Sequence, residues 1–202
     1  MEAPAAITVV PERGARPHPP LQESSLRLAR RLTEDATPDE RLTAVADQQL
    51  PTEIAVWCWD DGAWNALQGR MNRELRPADR GAFAGIADLY AFDIHLSPGV
   101  SETLADFDST ADELSAAEAL LVLAHEIRHF GSSGSNEAGT ECAALQRVDD
   151  TARALGASED RATALARIAW ETLYPGNRPE YRSDQCRPGG ALDNDPSTPA
   201  FP

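Results

Sequence analysis

Lysine is absent: all 18 basic side chains are arginine, a usage that reflects a GC-rich genome rather than a function. Positive charge is also outnumbered. Against 33 acidic residues the chain carries a net charge of −15, so binding to a phosphate backbone is electrostatically opposed and nucleic acid is not an expected partner. The acidity is read as serving solubility. Long hydrophobic runs are missing too. The longest, Ala119 to Ala124, is far too short for a bilayer, so no transmembrane segment is expected. Nor does the N-terminus, "MEAPAAITVVPERGARPHPP", hold a charged-then-apolar export signal. That leaves a cytoplasmic chain or an extracytoplasmic one whose signal has been removed, and the second is preferred.

Cysteine is scarce. Cys58, Cys142 and Cys186 are an odd set that permits at most one internal disulfide, and none of their spacings is that of a zinc knuckle. Cys58 and Cys186 stand near opposite ends of the expected domain and would staple it in an oxidising compartment, although spacing alone does not decide the pairing among the three.

With 202 residues, 42% hydrophobic and 25% charged, the chain is one soluble globular domain. A monomer is preferred. Residues 1–21, rich in Pro, Ala and Arg, read as a disordered tail that includes His18. Residues 22–187 form the domain, and 188–202 form an extended C-terminal tail. Helical periodicity runs from Gln22 to Gln49, with a break at "ATPDE" and Pro38 in the first turn of the restart. "TEIAVWCWDD" and "LYAFDIHLSP" alternate as strands, with the short helix "GAWNALQGRMNREL" between them, which predicts a small sheet. "ETLADFDSTADE" reads as an acidic loop. Its Asp106, Asp108 and Asp112 lack the glycine and terminal glutamate of a helix–loop–helix calcium site, so calcium is not expected. The remainder is helical. Ser115 with Glu118 forms a capping box, Gly131 a C-cap, a second helix runs from Asn136 to Gly156, and Ser158 caps a third that stops before Pro175.

The chemistry is concentrated in "LAHEIRHFGSSGSNEAGTECAALQ". Four residues of α-helix advance a side chain by about 400°, so His125 and His129 leave nearly the same face and can meet on one metal ion. Glu126, one step round, can reach a water beside them, which is the division of labour in a zinc hydrolase. The rest of that helix is apolar, and an unpaired imidazole there would need an explanation. Catalytic zinc takes a third protein ligand. In a helical hairpin turning at Ser133, Glu137 comes level with His129 and Glu141 with His125. Glu137 is then the third ligand, while Glu141 fixes and polarises His125 through its other ring nitrogen. The exchange of these two roles stays open. Chance produces H-E-x-x-H in about 0.5% of chains this long. A pair of helical histidines satisfied by glutamates is the ordinary alternative, but it does not account for five suitable residues at compatible levels.

"HEIRH" with "NEAGTE" resembles the H-E-x-x-H plus N-E-x-x-x-D/E pattern of the gluzincin metallopeptidases, the thermolysin-like group. "EAGTECAALQ" resembles the glutamate helix of the small members, the minigluzincins. More narrowly, "VWCWDDGAW", "IHLSPGV", "VLAHEIRHFGSSGSNEAGTECAALQ" and "YRSDQCRPGGALD" are together similar to a group of uncharacterised bacterial proteins, over roughly residues 50–195. The resemblance implies an α+β, zincin-like single domain, with a small β-sheet packed on an active-site helix and a glutamate helix, and a helix-rich C-terminal half. It implies one Zn2+ per chain on His125, His129 and Glu137, Glu126 as general base, and a peptide or protein substrate. It gives Glu141 the place usually held by an aspartate. It also implies a cysteine where this chain has Ser101, leaving one of its cysteines without a partner, and a shorter gap between His129 and Glu137 than thermolysin-like enzymes have.

Under the same resemblance the strand "FDIHL" receives an extended peptide by backbone pairing. The oxyanion formed during hydrolysis needs a donor, for which His95, Tyr181 and Arg182 are candidates, His95 being otherwise a solvent-facing strand residue. The expected function is that of a zinc metallopeptidase, a hydrolase of peptide or amide bonds. The alternatives are a non-catalytic zinc-binding regulatory or binding module on the same scaffold, and a metal-free helical scaffold.

Overall fold

The computed structural model describes residues 28, 29, 31, 33, 36–74, 83–131 and 136–194. The expected N-terminal tail, the hairpin loop around Ser133 and the last eight residues, 195–202, lie outside that set. The described elements run α1 (Glu40–Gln49), β1 (Ala55–Cys58), α2 (Asp61–Glu74), β2 (Gly85–Asp88), β3 (Asp93–Leu96), α3 (Pro98–Ala105), α4 (Glu113–Gly131), α5 (Glu137–Leu145), α6 (Val148–Ala154) and α7 (Glu159–Ile168). A π-turn at Ala169–Leu173 and two 3-10 turns, Tyr174–Gly176 and Pro179–Tyr181, follow. The class is α+β, with a small sheet and a helix-rich C-terminal half.

The sheet has three strands in the order β1-β3-β2, where two were expected. β1 runs parallel to β3 and β2 antiparallel to it. The missed strand, "GIAD", carries one β-branched residue and a glycine, so nothing in its composition announces a strand. Val56, Ile94 and Ala87 are register partners and share one face; Trp57, His95 and Ile86 share the other. Both faces are covered. The first joins the main core with α1 and α3 to α7, and the second packs with Trp59, Trp64, Leu67, Met71 and Phe83.

Five of the helices, α1, α2, α4, α5 and α7, begin where short polar side chains accept the orphan amides. Asp39 caps α1, taking the Leu42 amide at 2.9 Å, so Pro38 lies just before the cap rather than in the first turn. Pro98 ends the β3 segment and also opens α3, which occupies part of the expected acidic loop. Asp112, not Ser115, caps α4: it accepts the amides of Leu114 and Ser115 at 3.1 and 3.2 Å, while the Ser115 hydroxyl donates back to it. α4 is apolar nearly all round and buried from Ala116 to Ile127 except at Glu118, the signature of a central helix. Each fully buried leucine there contributes about 1.5–3 kcal/mol.

α5 begins where expected, with Asn136 as its cap, but the helix read as continuous to Gly156 breaks at Gln146 and Arg147. The Gln146 side chain is engaged elsewhere: it donates to the carbonyls of Cys142 and Leu192 and accepts the Asn194 amide at 2.7 Å. That clasp holds the C-terminal segment against α5. The segment's second fastening is a Cys142–Cys186 disulfide, spanning 44 residues. The expected Cys58–Cys186 staple is therefore not formed. Cys58 is a free, exposed thiol beside the Ser101 hydroxyl, the position at which the resemblance leads one to expect a cysteine. Among the described residues no helix is long and apolar enough to cross a membrane.

Candidate metal centre

Two turns of α4 and the first turn of α5 face each other across the hairpin and bring three ligand atoms together. His125 Nε2 lies 3.1 Å from His129 Nε2 and 3.2 Å from Glu137 Oε2, and His129 Nε2 is 3.8 Å from the same oxygen. The three residues can hold one metal ion, each offering one ligand atom, with all of those atoms within 4.8 Å of one another. The two rings meet edge to face, 4.8 Å between centroids. All three side chains are buried, His125 completely.

Glu141, one helical turn beyond Glu137, accepts from His125 Nδ1 at 2.7 Å and is itself sealed from solvent. That bond places a proton on Nδ1 and turns Nε2 to the opposite side, toward His129 and Glu137, as a ligating nitrogen requires. Burial alone pushes the His125 imidazole down. The Glu137 and Glu141 carboxylates outweigh it and raise it to about 10. The pocket is therefore one that favours a positive charge at its centre.

Glu126 is wholly buried beside these groups, and burial raises its carboxyl to about 8, with His125 opposing and Glu137 and Glu141 reinforcing the rise. The Ala87 backbone amide offsets a little of it, yet neither carboxylate oxygen makes a hydrogen bond of normal geometry. The side chain lies against β2. A Cβ built on Gly85 would stand 2.7 Å from Glu126 Cγ and 2.8 Å from its Oε1, so only glycine leaves room for the acid. Glycine in a strand signals such close approach, but the strand itself was not legible.

The three oxyanion candidates separate. Tyr181 is buried with its ring 5.8 Å from that of His125. Arg182 is exposed and donates to the Pro175 carbonyl. His95 is not solvent-facing. It is buried on the sheet face turned away from α4, stacked on Trp59, whose indole N–H donates to its Nδ1 at 3.2 Å. Nor is its strand an edge: β3 is central, and β2 is the edge beside α4. A further contact had no signal in the sequence. The Asn177 side-chain amide donates to Glu141 Oε1 at 2.5 Å.

No protein-family model matches the sequence, and no curated protein or solved structure matches the chain.

Proposed function

We propose that the protein is a zinc-dependent hydrolase of peptide or amide bonds, on a zincin-like scaffold of the minigluzincin kind. The observation that carries this reading is the convergence of His125 Nε2, His129 Nε2 and a Glu137 oxygen beside Glu126, a buried carboxylate neither of whose oxygens makes a hydrogen bond of normal geometry. Two imidazoles and a carboxylate are the donor set of a hydrolytic zinc site that keeps one position open. Two carboxylates, Glu137 and Glu141, buried against two imidazoles also form a set that a dication balances. A structural zinc site has no use for an acid held bare next to its ligands.

In this reading His125, His129 and Glu137 hold the ion, and Glu141 keeps His125 in the tautomer that can ligate. Zinc supplies Lewis acidity toward water and toward the scissile carbonyl. Glu126 takes the proton of the attacking water and returns it to the departing amine. The outer edge of β2, unpaired among the described residues, lies alongside α4 and suits an extended peptide joined by backbone hydrogen bonds. Tyr181 is the oxyanion candidate in contact with the site.

The test is a Glu126→Gln variant assayed on a broad peptide library. The variant should keep one zinc per chain and lose the cleavage that the wild type shows. A fully zinc-loaded wild type that leaves the whole library uncut would instead support the non-catalytic zinc-binding module.

A further inference from the structure

Glu141 presents two oxygens to a fully buried environment, and two different parts of the chain occupy them. Oε2 accepts from His125 Nδ1 at 2.7 Å and Oε1 from Asn177 Nδ2 at 2.5 Å. Asn177 follows the 3-10 turn Tyr174–Gly176, and its own amide closes that turn on the Tyr174 carbonyl. The segment beyond it is held at several points. The Tyr174 hydroxyl accepts the Ser183 amide and donates to the Ser183 carbonyl, Tyr181 packs on His125, and Cys186 is bonded to Cys142 on α5. The Asn177 amide is thus aimed before any metal arrives. A buried carboxylate with one free oxygen can rotate about its last torsion, whereas one with both oxygens engaged cannot do so without losing a bond.

Resting on the metal reading above, we propose that Asn177 is a positioning residue of that centre. By clamping Glu141 it fixes the His125 ring and its Nδ1–H tautomer, and so sets the affinity for zinc. Its action runs through Glu141, with no contact to the ion or substrate.

The experiment measures zinc affinity by competition with a chromogenic chelator for the wild type, Asn177→Ala, Asn177→Asp, Glu141→Ala and the Asn177→Ala/Glu141→Ala pair. Thermal melts confirm that each is folded. Partners of a ligating histidine change metal affinity by about 10–100-fold, and a residue one step further out should give about 3–10-fold for Asn177→Ala. Asn177→Asp keeps the volume but replaces the donor with an acceptor, so it should weaken binding at least as much. In the Glu141→Ala background Asn177→Ala should add nothing. Nitrogen-detected NMR of the metal-free protein should show the His125 Nδ1–H signal broadened or lost in Asn177→Ala. Equal weakening by Asn177→Ala in both backgrounds would overturn the proposal in favour of a packing role. So would wild-type affinity in Asn177→Asp. Either result leaves the metal reading intact, whereas a wild type that takes up no zinc defeats that reading itself.

Discussion

His125 Nδ1 and Glu141 Oε2 stand 2.7 Å apart, both sealed from solvent, across two helices joined by a hairpin. The contact orients the ring that the centre depends on, so its loss should be felt in metal affinity before it is felt in fold. Glu141→Gln keeps the volume and replaces a carboxylate by an amide. It should weaken zinc binding by about 10–100-fold in chelator competition, with a melting temperature close to that of the wild type. Unchanged affinity would remove Glu141 from the account.

Gly85 should tolerate no side chain. A methyl group there would stand well inside contact distance of Glu126 Cγ and Oε1 and 3.0 Å from Val122 Cγ1. Gly85→Ala should therefore cost about 1–3 kcal/mol through overpacking, read in denaturant melts. It should also displace Glu126, so that hydrolysis falls by more than tenfold while zinc content stays at one per chain. Wild-type turnover in Gly85→Ala would show that the acid has freedom the packing denies it.

His95 should make the fold acid-sensitive independently of the metal centre. Burial holds its imidazole at about 4, below the ordinary 6.5 of histidine. The unfolded chain therefore takes up the proton first as pH falls. The contribution to stability is complete above about pH 6.5 and is lost progressively toward pH 4, on the order of 3 kcal/mol in all. His95→Asn, which still offers an acceptor to the Trp59 indole, should flatten the pH dependence of stability over that window. An unchanged slope would assign the sensitivity to other groups.

Thiol counting checks the disulfide. One thiol per chain, Cys58, should react before reduction and three after. On the chain-entropy relation, a bond spanning 44 residues stabilises by about 4 kcal/mol. Reduction should lower the denaturation midpoint accordingly and loosen the segment that carries Asn177 and Tyr181. Three reactive thiols in the oxidised native protein would contradict the pairing.

The parts of this molecule that were legible in the sequence are those written locally. His125, Glu126 and His129 share one helix, and the spacing across Ser133 puts Glu141 level with His125, in agreement with their 2.7 Å contact. Ser158 is a cap as its chemistry suggests, and a helix begins at Asn136 where one was read. What was missed depends on chain segments far apart in sequence. Alternation in "FDIHL" is real, but it could not show that β2 would pair outside it and that a second core would bury His95. Gly85 and Asn177 carry no local signal, because each matters only through the glutamate that another segment brings to it. Cysteine pairing is set by how the C-terminal segment folds back on α5, which spacing does not encode.

Calorimetric titration of the metal-free protein with zinc at neutral pH decides whether this buried cluster is a metal centre. One site per chain is expected, abolished in His129→Ala. Absence of binding by the wild type, or stoichiometric binding that survives in His129→Ala, would contradict it.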